Sequence, residues 1–393
     1  MQGVDIQMKI LLYIDGIGGG GAERAMANLA NGLIEKGEKV ILVTSFPTQN
    51  EYALSSQIKR YNLEKFQPKN RMFIRKNLGR IQKLRRICQK EKCDIAVSFM
   101  EGPNFRLVFS TLFLPVKTII SLRSDPKIEY SNFVHRLIAN FVYSLSNACV
   151  FQTEEAKNFW GKCVRKKGII ILNSVASEFY LDEEIEYRSN IVSVGRLEKT
   201  KNFELLINAF SKIAEDYPKE QLIIYGEGGY RNQLEQQIIK LKLSDRIQLP
   251  GRIGNVSEKI RDAKIFVLSS DYEGMPNSLM EAMALGIPAI ATDCPCGGPD
   301  TLLEHGACGI LIPVNGIHEL EKEMRRLLDN RKEIDKYSKM ERKKAEKFKI
   351  EIICSEWELL FKQLMNNSSN SLIKRGCRYE NWFFSLFTGR WRS

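Results

Sequence analysis

Apolar residues arrive along this chain in short, nearly continuous runs: MKILLYID (8–15), KVILVTSF (39–46), CDIAVSF (93–99), VKTIISL (116–122), ACVFQT (148–153) and GIIILNSV (168–175). Runs of this length, rich in branched residues, read as strands buried on both faces. The first is followed by GIGGGGAERAMANLANGLIEKG, a Gly-rich turn and then a helix with Ala25, Leu29 and Leu33 along its apolar side. Gly37 closes that helix, so the chain opens as a βαβ unit. After an acidic, irregular stretch around 176–189 the alternation starts again. Strand signals NIVSVGRL, QLIIYGEGG, RIQLPG, KIFVLSSD, IPAIATD and CGILIPV are separated by the helical patterns NFELLINAFSKIAEDYP, YRNQLEQQIIKLKL and VSEKIRDA.

Two successive β/α runs predict two doubly wound domains that face one another, with ligands at the carboxyl ends of the strands. The expected boundaries are 1–180, 181–348, a segment 349–365 carrying the amphipathic helix EIICSEWELLFKQL, and a basic, aromatic tail over 366–393.

A length of 393 residues suits two sizeable domains, and 44% hydrophobic residues suffice for ordinary cores. No run of 18 apolar residues occurs, so no membrane-spanning helix is expected. The start, MQGVDIQMKILLYIDG, reads as a first strand and not as a signal peptide. Nine cysteines without pattern fit a reducing compartment, and Cys294-Pro-Cys296 lacks the second pair that zinc would need.

Charge sharpens the picture. Residues 1–180 carry 27 Lys and Arg against 15 Asp and Glu, whereas the remainder carries 32 of each. The whole excess of +12 lies in the N-terminal half, which should face nucleic acid, a phosphorylated substrate or an acidic membrane. Its densest stretch, RKNLGRIQKLRRICQKEK (75–92), holds eight cations and one acid. Leu78, Ile81, Leu84 and Ile87 are expected to pack inward. The cations then form either a plain solvated face or a surface for anionic lipid.

Three stretches carry candidate chemistry. In the first turn, Gly18, Gly19, Gly20 and Gly21 lack the glycine spacing of a dinucleotide fingerprint, and Thr44-Ser45-Phe46 stands where a ribose-binding acid would end the second strand. The turn is either simply tight or a backbone cradle for phosphate, with Arg24 as charge partner. In VSVGRLEKTKN (192–202), a strand ends at Gly195 and two cations follow, Arg196 and Lys201, a pattern that suits a diphosphate. In EGMPNSLMEAMALGIP (273–288), Glu273 sits in a Gly-Pro loop and Glu281 one turn into the helix that follows. Helix N-termini favour anions.

Together, VGRLEKTKN, YGEGG, LPGR and DYEGMPNSLMEAMALGIPAIATD, in this order and spacing, closely resemble the family-4 glycosyltransferases of the GT-B fold, over most of residues 8–364. GGGAER (19–24) and DCPCGGP (293–299) resemble the branch that builds bacterial surface polysaccharides and lipid-linked oligosaccharides.

The resemblance implies an α/β GT-B architecture whose late helix crosses back to the N-terminal domain. It implies retaining, metal-independent transfer from a nucleotide-diphosphate sugar, with UDP the expected nucleotide. Glu281 would accept hydrogen bonds from both ribose hydroxyls. Arg196 and Lys201 would hold the diphosphate, with the helix start Gly274, Met275, Pro276, Asn277, Ser278 and Leu279; Glu273 would lie by the donor sugar. Gly195 and Arg252 belong to the matching donor motifs. The expected acceptor is an undecaprenyl-diphosphate-linked glycan at the inner face of the cytoplasmic membrane, with the protein peripheral there.

One departure stands out. Many relatives carry a histidine after an N-domain strand near the donor sugar; here the segment reads SLRSDP (121–126), with Arg123 and Asp125. Arg123 is the candidate substitute, binding phosphate or sugar hydroxyls, while His135, in YSNFVHRLIANFVY, is expected to be structural. Two rival functions stay open: an epimerase or hydrolase of nucleotide sugars on the same architecture, and a basic nucleic-acid-binding protein. The latter lacks any recognised nucleic-acid motif, and no nucleic-acid partner is expected.

Overall fold

The computed structural model describes residues 7–66, 73–181 and 189–366. The aromatic tail and part of the expected linker lie outside the described residues.

The N-terminal sheet is built from β1 (Lys9–Ile14), β2 (Lys39–Thr44), β3 (Lys59–Asn62), β4 (Ile95–Phe99), β5 (Lys117–Ser121), β6 (Ala148–Phe151) and β7 (Gly168–Ile170). All are parallel, in the order β3-β2-β1-β4-β5-β6-β7. The second sheet holds β8 (Ser189–Val194), β9 (Leu222–Tyr225), β10 (Ile247–Gly251), β11 (Ala263–Leu268), β12 (Ala289–Thr292) and β13 (Ile310–Ile312). It is also parallel, ordered β10-β9-β8-β11-β12-β13.

In each sheet the strand order reverses beside the first strand. That switch point opens a crevice at the carboxyl ends of the strands. The strand interiors are almost wholly buried, as helices covering both faces require.

The late helix Ile350–Asn366 does return to the N-terminal domain. Its Ile353, Cys354, Trp357, Leu360 and Phe361 join the core formed by Leu29, Leu33, Val97 and Phe99. A side chain at Gly32 would collide with Cys354, so that glycine sets how closely the two helices approach. Lys36 ties the same pair from outside, to Ser355 and Glu358.

One strand was not foreseen and one expectation needs correction. The strand β3 carried no apolar signal, because KRYN is an edge strand with largely exposed side chains. In the basic helix Phe73–Glu91, Leu84 is buried as expected and Ile87 packs partly against the same core, but Leu78 is 55% exposed, and Arg80 and Cys88 are the buried positions four residues either side of Leu84. Three of its cations serve the fold itself. Arg80 is paired with Glu64, Lys83 donates to the Leu63 carbonyl, and Arg85 donates to the Ser110 and Leu112 carbonyls.

Candidate active site

The loop after β11 is held from three sides. Ser269 donates to the Lys201 carbonyl at 2.9 Å, the Asp271 amide donates to Thr200 at 2.9 Å, and Asn202 donates to the Asp271 carboxylate at 2.7 Å. Asn202 adopts a left-handed backbone (φ 45°) and also caps the helix Phe203–Ser211. The turn after β8 and the loop after β11 are therefore one rigid unit.

Its product is an ion pair. Lys201 Nζ binds Glu273 Oε1, which also accepts from Ser270 Oγ at 2.7 Å. Both ionic side chains are largely buried.

Glycines set the spacing of this unit. A Cβ at Gly226 would stand 1.8 Å from the Gly195 carbonyl oxygen, and one at Gly298 would stand 1.9 Å from that of Gly274. The ends of β8 and β9, and the loop carrying Glu273 and the helix Gly298–Leu302, come together at distances only glycine permits.

The helix Asn277–Leu285 follows. Pro276 brings no side-chain cap, and Gly286 (φ 67°) ends the helix in the left-handed conformation. The Leu279 amide already donates to the Pro276 carbonyl at 3.2 Å, whereas the first two amides of a helix, here those of Asn277 and Ser278, have no acceptor within it, so this N-terminus is a ready anion site. Met275, Pro276 and Leu279 are buried beneath it, with Ser278 partly exposed. Glu281, one turn in, is almost fully buried. Burial pushes its carboxyl above the ordinary range, opposed by the Arg24 guanidinium that it binds.

Arg24 brings in the other domain. It lies in the helix Gly21–Glu35 and stacks over the Tyr52 ring at 5.5 Å, while Tyr52 donates to the Gly20 carbonyl. Gly19 has φ 91°, and Gly18 runs so close to Gln49 and Asn50 that a Cβ would meet their carbonyls within 3 Å. Asn277 donates to the Gly21 carbonyl at 3.0 Å and accepts from Asn173 at 2.6 Å. The Gly-rich turn thus faces the start of the helix Asn277–Leu285 directly across the cleft.

Arg123 closes the third side. Its guanidinium lies 3.8 Å from the centre of the Phe99 ring and donates to Asn173, which also accepts from Gln152. Its buried Nε has no partner in the protein, and burial lowers its pKa to about 9. Its backbone carbonyl approaches Gly274 so closely that a Cβ there would stand 2.7 Å away. Asp125 instead caps the short helix Pro126–Glu129. His135 is packed against Phe105 and Tyr130 and bonded to Glu101.

Arg196 stands at the cleft with its side chain 68% exposed and paired to Glu198. Arg252 is exposed after β10, beside a cavity of about 300 Å³ lined by Gly254, Asn255, Ser257, Glu178 and Leu181. Cys294 and Cys296 are buried, with thiols pushed up to about 12 by that burial. Among the described residues, no group of three His, Cys, Asp or Glu is placed to hold a metal ion.

The structure also assigns parts to residues that no motif singled out. Asn173 gathers Arg123, Gln152 and Asn277 at one point, and Ser270 orients Glu273. Tyr52 flanks Arg24. Asn173 follows β7 without a glycine or charge to mark it, whereas Ser270 lies within three residues of Glu273.

A carboxylate held by lysine, a second carboxylate held by arginine and an open helix N-terminus between them can bind hydroxyls and a diphosphate together. Residues 19–176 match the family described as Glycosyltransferase Family 4, and residues 183–347 match Glycosyl transferases group 1.

A Campylobacter jejuni relative is 26% identical over 91% of this chain and 99% of its own. It is named GalNAc-alpha-(1->4)-GalNAc-alpha-(1->3)-diNAcBac-PP-undecaprenol alpha-1,4-N-acetyl-D-galactosaminyltransferase. Among solved structures, a sucrose-phosphate synthase from Thermosynechococcus elongatus superposes with a TM-score of 0.80 at 17% identity, covering 92% of this chain and 100% of that one. Anabaena HepE in complex with UDP-glucose gives 0.74 at 16% identity, covering 93% and 100%. With its two halves matching the two domain families in order, on two facing parallel sheets, the chain belongs to the family-4 glycosyltransferases of the GT-B fold.

Proposed function

We propose that this protein transfers a hexose or N-acetylhexosamine from a UDP-sugar to a lipid-linked glycan, with retention at the anomeric carbon. The observation that carries the reading is the Lys201–Glu273 pair at the open N-terminus of the helix that holds Glu281. The relative named for adding N-acetylgalactosamine to an undecaprenyl-diphosphate glycan supports the acceptor class, and the neighbour holding UDP-glucose supports the donor class. In this reading the protein works bound peripherally at the inner face of the cytoplasmic membrane, where such an acceptor would lie.

In this reading, the first-turn amides after Pro276 and the cations Arg196 and Lys201 hold the diphosphate. The bond between the sugar's anomeric carbon and the β-phosphate oxygen breaks, and its electron pair stays on that oxygen. The acceptor hydroxyl bonds to the same face of the anomeric carbon and passes its proton to the departing phosphate. Stabilising the charge that grows on the diphosphate is then the main catalytic task.

Glu273, fixed by Lys201 and Ser270, accepts from sugar hydroxyls, and Glu281 accepts from the ribose. Arg123, with an unsatisfied Nε beside the loop, is the candidate ligand for acceptor phosphate or a donor hydroxyl. Cationic side chains do this charge work without a metal ion, so turnover should persist in EDTA.

The test is mass spectrometry of an undecaprenyl-diphosphate glycan incubated with protein and individual UDP-sugars. A product heavier by one sugar is expected. Release of free sugar alone would make the protein a hydrolase, and an isomerised nucleotide sugar would make it an epimerase.

A further inference from the structure

The first strand ends in an acid. From Ile10 to Ile14 every residue of β1 is buried, and the next, Asp15, has its side chain 41% exposed at the carboxyl end of the strand. β1 lies between β2 and β4, where the order of the N-terminal sheet reverses, so Asp15 stands in the crevice where parallel sheets bind ligands. Its Oδ1 is fixed from two sides: Ser45 Oγ donates to it at 2.5 Å, and the buried Arg106 pairs with it. Arg106 in turn donates to Tyr13 Oη at 2.8 Å and to Asn77 Oδ1 at 3.0 Å. Among the described residues both bonds to the Asp15 carboxylate fall on Oδ1, and Oδ2 is left for a ligand's hydroxyl. At the end of β4, beside it, Met100 has φ 76°, a backbone that side chains rarely adopt and that gathers at ligand sites.

The surroundings have the make-up of a sugar subsite. The Phe46 amide donates to the Asp15 carbonyl at 3.2 Å, and Phe46 is partly exposed, which brings an aromatic residue beside the carboxylate. Asn77 can donate from its NH2 group. Carboxylate and amide suit hydroxyls, and an aromatic ring suits the C–H face of a pyranose. Charge argues against a phosphate here. Arg106 is neutralised by Asp15, and Arg80, over the Phe46 ring, is neutralised by Glu64. Burial raises the Glu23 carboxyl, Arg196 of the other domain opposes that rise and Asp15 adds to it. Glu23 therefore lies within electrostatic reach of both, which puts Asp15 on the cleft that the donor enters. Resting on the glycosyl-transfer reading, we propose that Asp15 binds hydroxyls of the acceptor's neutral sugar, with Arg106 and Ser45 as positioning residues that aim its carboxylate. The acceptor's diphosphate then lies outside this crevice.

The experiment reads acceptor and donor separately on the full chain. The acceptor is an N-acetylgalactosamine disaccharide diphosphate on a short, water-soluble chain. Asp15→Asn should raise acceptor KM by about tenfold or more and leave UDP affinity, by calorimetry, at the parent's value. Ser45→Ala loosens the carboxylate but keeps its charge, and should raise acceptor KM severalfold. Saturation-transfer NMR of the same disaccharide freed of its diphosphate, with UDP present, reads binding in the parent itself, even if Asp15→Asn fails to fold. The parent should saturate the sugar, and inorganic pyrophosphate should not displace it. Four results overturn the proposal: parental acceptor KM in Asp15→Asn, a rise in KM matched by equal loss of UDP affinity, no saturation of the free disaccharide by the parent, or its displacement by pyrophosphate. The second would make Asp15 only the counter-ion of Arg106. If no UDP-sugar supports transfer while Asp15→Asn abolishes the saturation, the functional reading falls and the sugar subsite stands.

Discussion

Arg24 and Glu281, 257 residues apart and in different domains, meet as an ion pair across the cleft. Glu281 is buried, so an unpaired charge there would be costly, and burial alone would drive its carboxyl toward the neutral form. Arg24 is the opposing influence. It offsets part of that rise and so favours the carboxylate form at the point where ribose hydroxyls would donate to it.

Two outcomes follow for nucleotide binding. Each hydrogen bond to a charged acceptor contributes roughly 1.5–3 kcal/mol, so Glu281→Gln should weaken UDP at least tenfold in calorimetry. Ribose donates to the ionised form, so affinity is highest above the pKa of Glu281 and falls as pH drops through it. Arg24→Ala removes the influence that lowers that pKa, so its loss of affinity should begin at a higher pH than in the parent. Coincident pH profiles would detach Arg24 from the nucleotide site.

Lys201 and Arg196 should separate chemistry from folding. Charge on the diphosphate is greatest as the glycosidic bond breaks, so Lys201→Ala and Arg196→Ala should cut kcat by about 10²–10³. Loss of ground-state UDP affinity should be smaller. Arg196 is the cleaner probe, since its one exposed pair with Glu198 contributes only about 0–1 kcal/mol to stability. Parental kcat in both variants would remove the diphosphate assignment.

How much of this was legible beforehand depended on whether a residue's role was local. The strands, the Gly-rich turn, and the pairing of a Gly-Pro loop with a helix start all leave sequence patterns, and the family motifs placed Glu273 and Glu281. Partnerships across the cleft leave none. Nothing in GGGAER tells that Arg24 reaches Glu281, and nothing near Asn173 tells that it joins Arg123 to Asn277. The basic helix misled because a three-residue apolar spacing suggested its inward face, whereas Arg80 turns inward to meet Glu64. The charge count could not tell which cations bind the protein's own carbonyls.

Gly298 offers a test of the loop's rigidity. A Cβ there would stand 1.9 Å from the Gly274 carbonyl oxygen and 3.2 Å from Pro276, so Gly298→Ala must push the loop that carries Glu273. Overpacking of this kind costs about 1–3 kcal/mol, and a displacement near 1 Å at reacting groups can cost about 10²-fold in rate. The expected variant melts a few degrees lower and loses far more activity than that melting shift explains. Gly229→Ala, where a Cβ meets nothing within 4 Å, is the control. Equal activity in both variants would show that the loop tolerates the push.

Glu129 predicts a pH-dependent stability unrelated to substrate. Burial raises its carboxyl to about 7, with Glu101 adding to the rise while Ser124 and His135 oppose it. In the folded protein it is neutral at pH 5 and ionised at pH 8; in the unfolded chain it ionises near the ordinary 4.5. Because the folded pKa is the higher one, the stabilising contribution is complete at low pH and is lost as pH rises from about 4.5 through about 7. The loss amounts to about 3 kcal/mol. Glu129→Gln keeps the shape and an oxygen for the Ser124 hydroxyl but cannot ionise. Its melting temperature should match the parent's at pH 5 and exceed it by several degrees at pH 8. Subtracting parent from variant cancels the titrating groups that do not interact with Glu129, so a difference that stays constant from pH 5 to pH 8 would show that Glu129 does not titrate in this window.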